Sequence, residues 1–156
     1  MSRQVPLLVS FLVGIVYWPR VLLNPLLGVF RPLDETILHE LFRRLDPESA
    51  RIAQAQCADV NLVRCVTAKT SEINMYRLIW TGFTRNRSCY FNRDAEEYVL
   101  AKMDLMIGKK RRAVVRFFVV RGSLFSMDFN ADISAVRNCS EVEVLEFTQG
   151  LKPQGG

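Results

Sequence analysis

The sequence predicts an α+β domain: one or two N-terminal helices packed on an antiparallel meander sheet of about six to seven strands. Three observations carry this prediction. Residues 32–56 hold apolar side chains at helical spacing behind two proline-containing start signals. From Asp59 onward the chain changes to β-branched and aromatic residues in short runs. Short turns join successive runs, and short connections favour antiparallel hairpins over crossovers.

Pro32-Leu33-Asp34-Glu35 opens the first helix, with proline in the first turn, Asp34 able to cap, and acids where the helix dipole favours them. Ile37, Leu38, Leu41, Phe42 and Leu45 mark one apolar face. Asp46-Pro47-Glu48 repeats the start signal, and a second helix should run to Gln56, with Ala50 and Ala53 allowing close packing. The spacing then predicts strands at 60–68, 72–81, 88–92, 97–107, 112–120, 124–130 and 141–147, with a loop and helical turn between 130 and 140.

The chain divides into a hydrophobic segment, 1–31, a single domain, 32–148, and a tail, 149–156. Residues 5–30 contain 18 apolar residues out of 26 and a single charge, Arg20. The uninterrupted stretch Val5–Trp18 is 14 residues long, whereas a membrane span needs about 20. Pro19 and Arg20 break the longer reading, since one removes a helical hydrogen bond and the other puts charge at mid-membrane. Tyr17, Trp18 and Arg20 are residue types that settle at headgroup level. The segment therefore reads as an interfacial or re-entrant anchor, with a helix packed on the domain's own core or on a partner as the alternative. No small-residue cleavage site follows it.

The net charge of +5 and pI near 9.3 favour phosphates, anionic lipid or acidic partners without choosing among them. In a meander, turns alternate between the two sheet ends. That rule groups the 82–87 and 108–111 turns and gathers Arg85, Arg87, Lys109, Lys110, Arg111 and Arg112 as a candidate anion-binding end. Turns 69–71, 93–96 and 121–123 then share the other end.

Register supplies the second candidate site. Pairing apolar with apolar between 112–120 and 124–130 sets Phe125, Met127 and Phe129 on the core face and Arg116 opposite Asp128, across a three-residue turn. A two-residue turn would slide the pairing by one and set Arg116 against Met127. The preferred register places Lys102, Asp104, Arg116, Ser126 and Asp128 on the face away from the helices. Tyr76, Trp80, Tyr98, Leu100 and Phe118 border them. Polar groups ringed by aromatics suit a small ligand or a dimer contact. Sheets backed by a helix, as in cystatin-like or nuclear-transport-factor-like folds, offer such a face, though this is an analogy of architecture alone.

The residues offer little for catalysis. His39 is the sole histidine and lies on the polar side of its helix, so no triad or zinc site can be drawn. The cysteines Cys57, Cys65, Cys89 and Cys139 follow no metal-ligand spacing and are read as reduced thiols in a reducing compartment. No cofactor is expected. The leading expectation is a non-enzymatic, membrane-associated binding or interaction domain on the cytoplasmic side, with a soluble cytoplasmic protein as the alternative. Residues 5–30 would meet the membrane, and the sheet face would meet a protein partner or a second copy. The alternatives are a small enzyme or ligand-binding module using Asp104, Asp128, Lys102 and Arg116, and a basic accessory domain binding phosphate groups or nucleic acid. Nucleic acid is not the expected partner, since no helix-turn-helix or RNA-binding aromatic pattern is present.

Overall fold

The computed structural model describes residues 29–67, 70–79, 82–84, 89–91 and 95–150. The anchor segment lies outside these residues except for Val29 and Phe30, and so do Trp80, Arg85, Arg87 and residues 151–156.

Helix α1 (Pro32–Arg44) springs from Arg31, with Asp34 and Glu35 in its first turn and Arg43 and Arg44 in its last, matching the dipole at both ends. Asp34 is not the capping residue itself. It reaches back, and the Arg31 backbone N–H donates to its Oδ2 at 3.2 Å. Helix α2 (Pro47–Ala58) starts from Asp46, whose Oδ1 accepts from the Ser49 N–H at 3.0 Å. Ile37, Leu38, Leu41 and Leu45 are buried as their spacing predicts, Phe42 is half-buried, and Ala53 has no exposed surface.

Among the described residues seven strands follow: β1 (Leu62–Thr67), β2 (Ser71–Ile79), β3 (Gly82–Thr84), β4 (Glu97–Ile107), β5 (Arg111–Val120), β6 (Ser123–Phe129) and β7 (Val142–Gln149). A 3-10 turn, Ser134–Val136, precedes β7. The antiparallel sheet runs in the order β1-β2-β6-β5-β4-β7, and β3 doubles back on β2. Strands β4, β5 and β6 form the meander, while the β1–β2 hairpin docks beside β6 and sets Ile73 next to Met127. One face is covered by the helices. Ile37, Leu41, Ile73, Met103, Leu105, Val115, Phe117 and Met127 meet there with no exposed surface.

Four local features depart from the sequence reading. The strand expected at 88–92 is not formed by Cys89–Phe91, and the short β3 lies at 82–84 instead. Cys89 and Phe91 are held from outside the ladder: Gln56 Nε2 donates to the Cys89 carbonyl at 2.7 Å, and the Phe91 N–H donates to the Gly122 carbonyl at 2.9 Å. With β3 inserted, β4 starts level with the end of β5, Glu97 beside Val120. Turn parity therefore changes. The 108–110 turn shares its sheet end with the Thr67–Ser71 end of the β1–β2 hairpin and loop 130–141, whereas the paired residues Ile79 and Gly82 lie at the opposite end with Arg121–Gly122.

The β5–β6 turn has two residues, Arg121 and Gly122, at φ 49° and 78°. Such a turn alone would put Arg116 against Met127, yet Arg116 pairs with Asp128. A β-bulge restores the register. Val119 pairs with Leu124 and Phe118 with Ser126, leaving Phe125 as the extra residue. Leu124 thereby turns into the core, and Phe125 meets Tyr76 edge-on with ring centroids 5.6 Å apart. The expected roles of residues 124 and 125 are thus exchanged.

A second irregularity falls between Val99 and Ala101 of β4. It pairs Tyr98 with the core residue Val119 and leaves Leu100 only 2% exposed. Strand β7 extends past residue 147 to meet this bulge, where the Gly150 N–H donates to the Leu100 carbonyl at 2.8 Å. A Cβ on Gly150 would stand 2.0 Å from the Val99 carbonyl oxygen, so only glycine permits this approach.

Candidate functional site

Cross-strand neighbours in register point to the same face, so the ladder pairs fix which side chains meet. On the face away from the helices, one complete row crosses the sheet: Val66, Glu72, Asp128, Arg116, Lys102 and Thr148, from β1 to β7. Its two acids are direct neighbours and its two bases are direct neighbours. Among the described residues none of these four charges joins an ion pair within 4.0 Å. Instead the Arg116 guanidinium sits over the Phe118 ring, 5.5 Å from its centroid, and Asp128 Oδ1 accepts from the Ser126 hydroxyl at 2.8 Å. Lys102 and Arg116 are exposed, Glu72 and Asp128 half-buried, and Val66 is 44% exposed. One row toward the Arg121–Gly122 end, Asn74 and Ser126 are buried, and the Asn74 Oδ1 has no hydrogen-bond partner among the described residues.

Most of the polar face expected from sequence is therefore assembled: Lys102, Arg116, Ser126 and Asp128, with Tyr76 and Phe118 beside them. Two members are elsewhere. Tyr98 and Leu100 are carried toward the helix side by the β4 bulge, and burial pushes the Tyr98 hydroxyl up to about 12. Asp104 shares the face but is committed to Arg112. The Arg112 Nε lies 3.0 and 3.1 Å from the two carboxylate oxygens, and Nη2 lies 2.5 Å from Oδ2. That fork holds the Asp104 carboxyl below its usual range and raises the guanidinium in turn.

The basic turn is also partly committed. Lys109 Nζ lies 3.2 Å from Glu141 Oε1, and Arg112 is bound to Asp104. Lys110 is exposed and Arg111 half-buried. Gly108 and Lys109 take φ 58° and 60°, which lets three residues close the β4–β5 connection. Loop 130–141 joins this turn to the start of α1. The Gly108 N–H donates to the Glu141 carbonyl at 3.0 Å, while the Leu33 N–H donates to the Arg137 carbonyl at 3.2 Å and Arg31 Nη1 to Asn138 Oδ1 at 3.2 Å.

Several contacts carry no sequence signal beyond polarity. Arg137 Nη2 donates to Asp34 Oδ2 at 2.5 Å, and Asp34 has no exposed surface. Gln56 is buried and links α2 to three backbone groups: the Cys89 and Gly122 carbonyls, and the Leu124 N–H, which donates to its Oε1 at 2.7 Å. Gln149 and Asp46 exchange two hydrogen bonds, at 2.5 and 3.2 Å, tying β7 to the start of α2. A shallow hollow of about 210 Å³ opens between Phe30, Glu35, Leu38, His39, Phe42 and Cys57. Its walls are apolar, and burial pushes the Cys57 thiol up to about 12. His39 is exposed at its mouth, with 75% of its side-chain surface accessible. Among the described residues no group of three His, Cys, Asp or Glu side chains is placed to hold a metal.

Among the described residues, fold and face together define two helices packed on an antiparallel sheet, with a row of charge on the sheet face away from those helices. No protein family, curated protein or solved structure matches the chain.

Proposed function

We propose that this protein is a non-enzymatic interaction domain held at a membrane by residues 5–30, with the sheet face away from α1 and α2 presented to a protein partner. The placement of the basic turn carries this reading. Arg31, where the apolar segment hands over to α1, and the turn Gly108–Arg111 lie on the two sides of loop 130–141, at one end of the sheet. An anchor and a basic surface at the same end would meet a bilayer together, and each basic residue near anionic lipid is worth about 1 kcal/mol. Asp104, half of the acid–base pair that an enzyme reading needs, is locked as a carboxylate by Arg112.

Sedimentation of the full chain with vesicles of phosphatidylcholine and phosphatidylserine tests the membrane half. The folded protein should pellet with the vesicles, and replacing Leu8, Leu12 and Leu23 with glutamate should release it. A folded full chain that stays in the supernatant would refute the proposal.

A further inference from the structure

The charge row on the sheet face away from α1 and α2 is complementary to itself, and we infer that the partner of this face is a second copy of the chain. The inference rests on the proposed use of that face as an interaction surface and names its occupant.

The row reads Val66, Glu72, Asp128, then Arg116, Lys102, Thr148, three residues on each side of the β6–β5 seam. With neighbouring strands about 4.8 Å apart it spans roughly 24 Å. Placing like charges directly opposite one another in a sheet is unfavourable. Here it happens twice in one row, Glu72 beside Asp128 and Arg116 beside Lys102. Reversing the row end for end turns minus-minus-plus-plus into plus-plus-minus-minus, which neutralises both pairs.

Two of the two-fold axes lying between the faces keep the strands of the two copies aligned, and they differ in outcome. A two-fold axis along the strands, in the plane between the sheets at the β5–β6 seam, exchanges the halves of the row. Asp128 then faces Arg116 of the second copy, Glu72 faces Lys102, and Val66 faces Thr148. An axis along the row instead lays acid on acid and base on base. The first axis also keeps the direction along the strands, so both copies carry Arg31 and the Gly108–Arg111 turn at the same end. Both anchors would then reach one bilayer, whereas the second axis would point them apart. Charge and anchor geometry therefore select the same isologous dimer.

The test uses the full chain in detergent micelles, with protein mass from light scattering. The parent should be a dimer. Arg116→Glu and Asp128→Arg should each weaken it roughly tenfold or more, because each puts like charges face to face twice. Mixing the two single variants should recover the dimer. In the mixed pair, the native Asp128 of one chain meets the native Arg116 of the other, and the introduced glutamate meets the introduced arginine. The neighbouring pair inside each chain stays mismatched. Recovery by mixing therefore cannot come from repaired folding, and each variant's melting temperature checks its fold. A monomeric parent, variants that remain dimeric, or a mixture that stays monomeric would overturn the inference. Vesicle binding by a monomeric chain would leave the membrane reading standing and remove only the dimer.

Discussion

Asp34 and Arg137 show how much one buried pair can decide. The carboxylate has no exposed surface and the Arg137 side chain is 11% exposed, so each is the other's replacement for water. Asp34→Ala should lower the unfolding free energy by about 3–5 kcal/mol in urea titration, because it strands a buried guanidinium. Replacing both residues with apolar ones of similar size should cost clearly less. Asp104 makes a different prediction. Its folded carboxyl titrates below the ordinary value of 3.8, chiefly through the Arg112 hydrogen bonds. A depressed folded pKa gives stability that is fully present above the unfolded pKa and is lost as pH falls through the folded one. Melting temperatures recorded against pH should therefore drop less steeply below 3.8 in Asp104→Asn than in the parent. A parallel acid limb would show that the pair is not maintained in solution.

At the scale of elements, the β5–β6 hairpin is held by a conflict between turn and register. A two-residue turn with both φ values positive suits the right-handed twist of a hairpin, but Arg121 is a poor residue at φ 49°. Arg121→Asn keeps the turn and removes that strain, so it should raise stability by about 0.5–1 kcal/mol, read as a higher melting temperature. The bulge at Phe125 then corrects the pairing that the turn would otherwise impose. The sequence shows the conflict, in Arg-Gly on one side and Arg116 with Asp128 on the other. It does not show the resolution, because a bulge costs one local pairing and is repaid by contacts from distant residues such as Tyr76.

For the whole molecule, the proposed anchor and the basic turn should act together at a lipid surface. Neutralising Lys109, Lys110 and Arg111 to glutamine should weaken binding to anionic vesicles by about 1 kcal/mol per residue and flatten its salt dependence. Binding to uncharged vesicles should stay unchanged, since the apolar segment alone would supply it. Equal losses on both lipids would assign the turn a structural role instead.

The helices, the strand-rich second half and the pairing of Arg116 with Asp128 and Lys102 were legible in the residues, because periodicity and cross-strand chemistry are local and strong. The polar face was legible to the same extent: four of its five central residues followed from register alone, and Asp104 reached the face but with Arg112 as its partner. Strand order, the sheet end of each turn and the side taken by Tyr98 were decided only in three dimensions. They depend on β3 and on two bulges, each a single-residue slip whose energy lies in long-range packing. The α+β class thus belongs to the sequence. The unbroken row from Val66 to Thr148, and the symmetry read from it, belong to the tertiary structure, because only the assembled ladder places six strands in register.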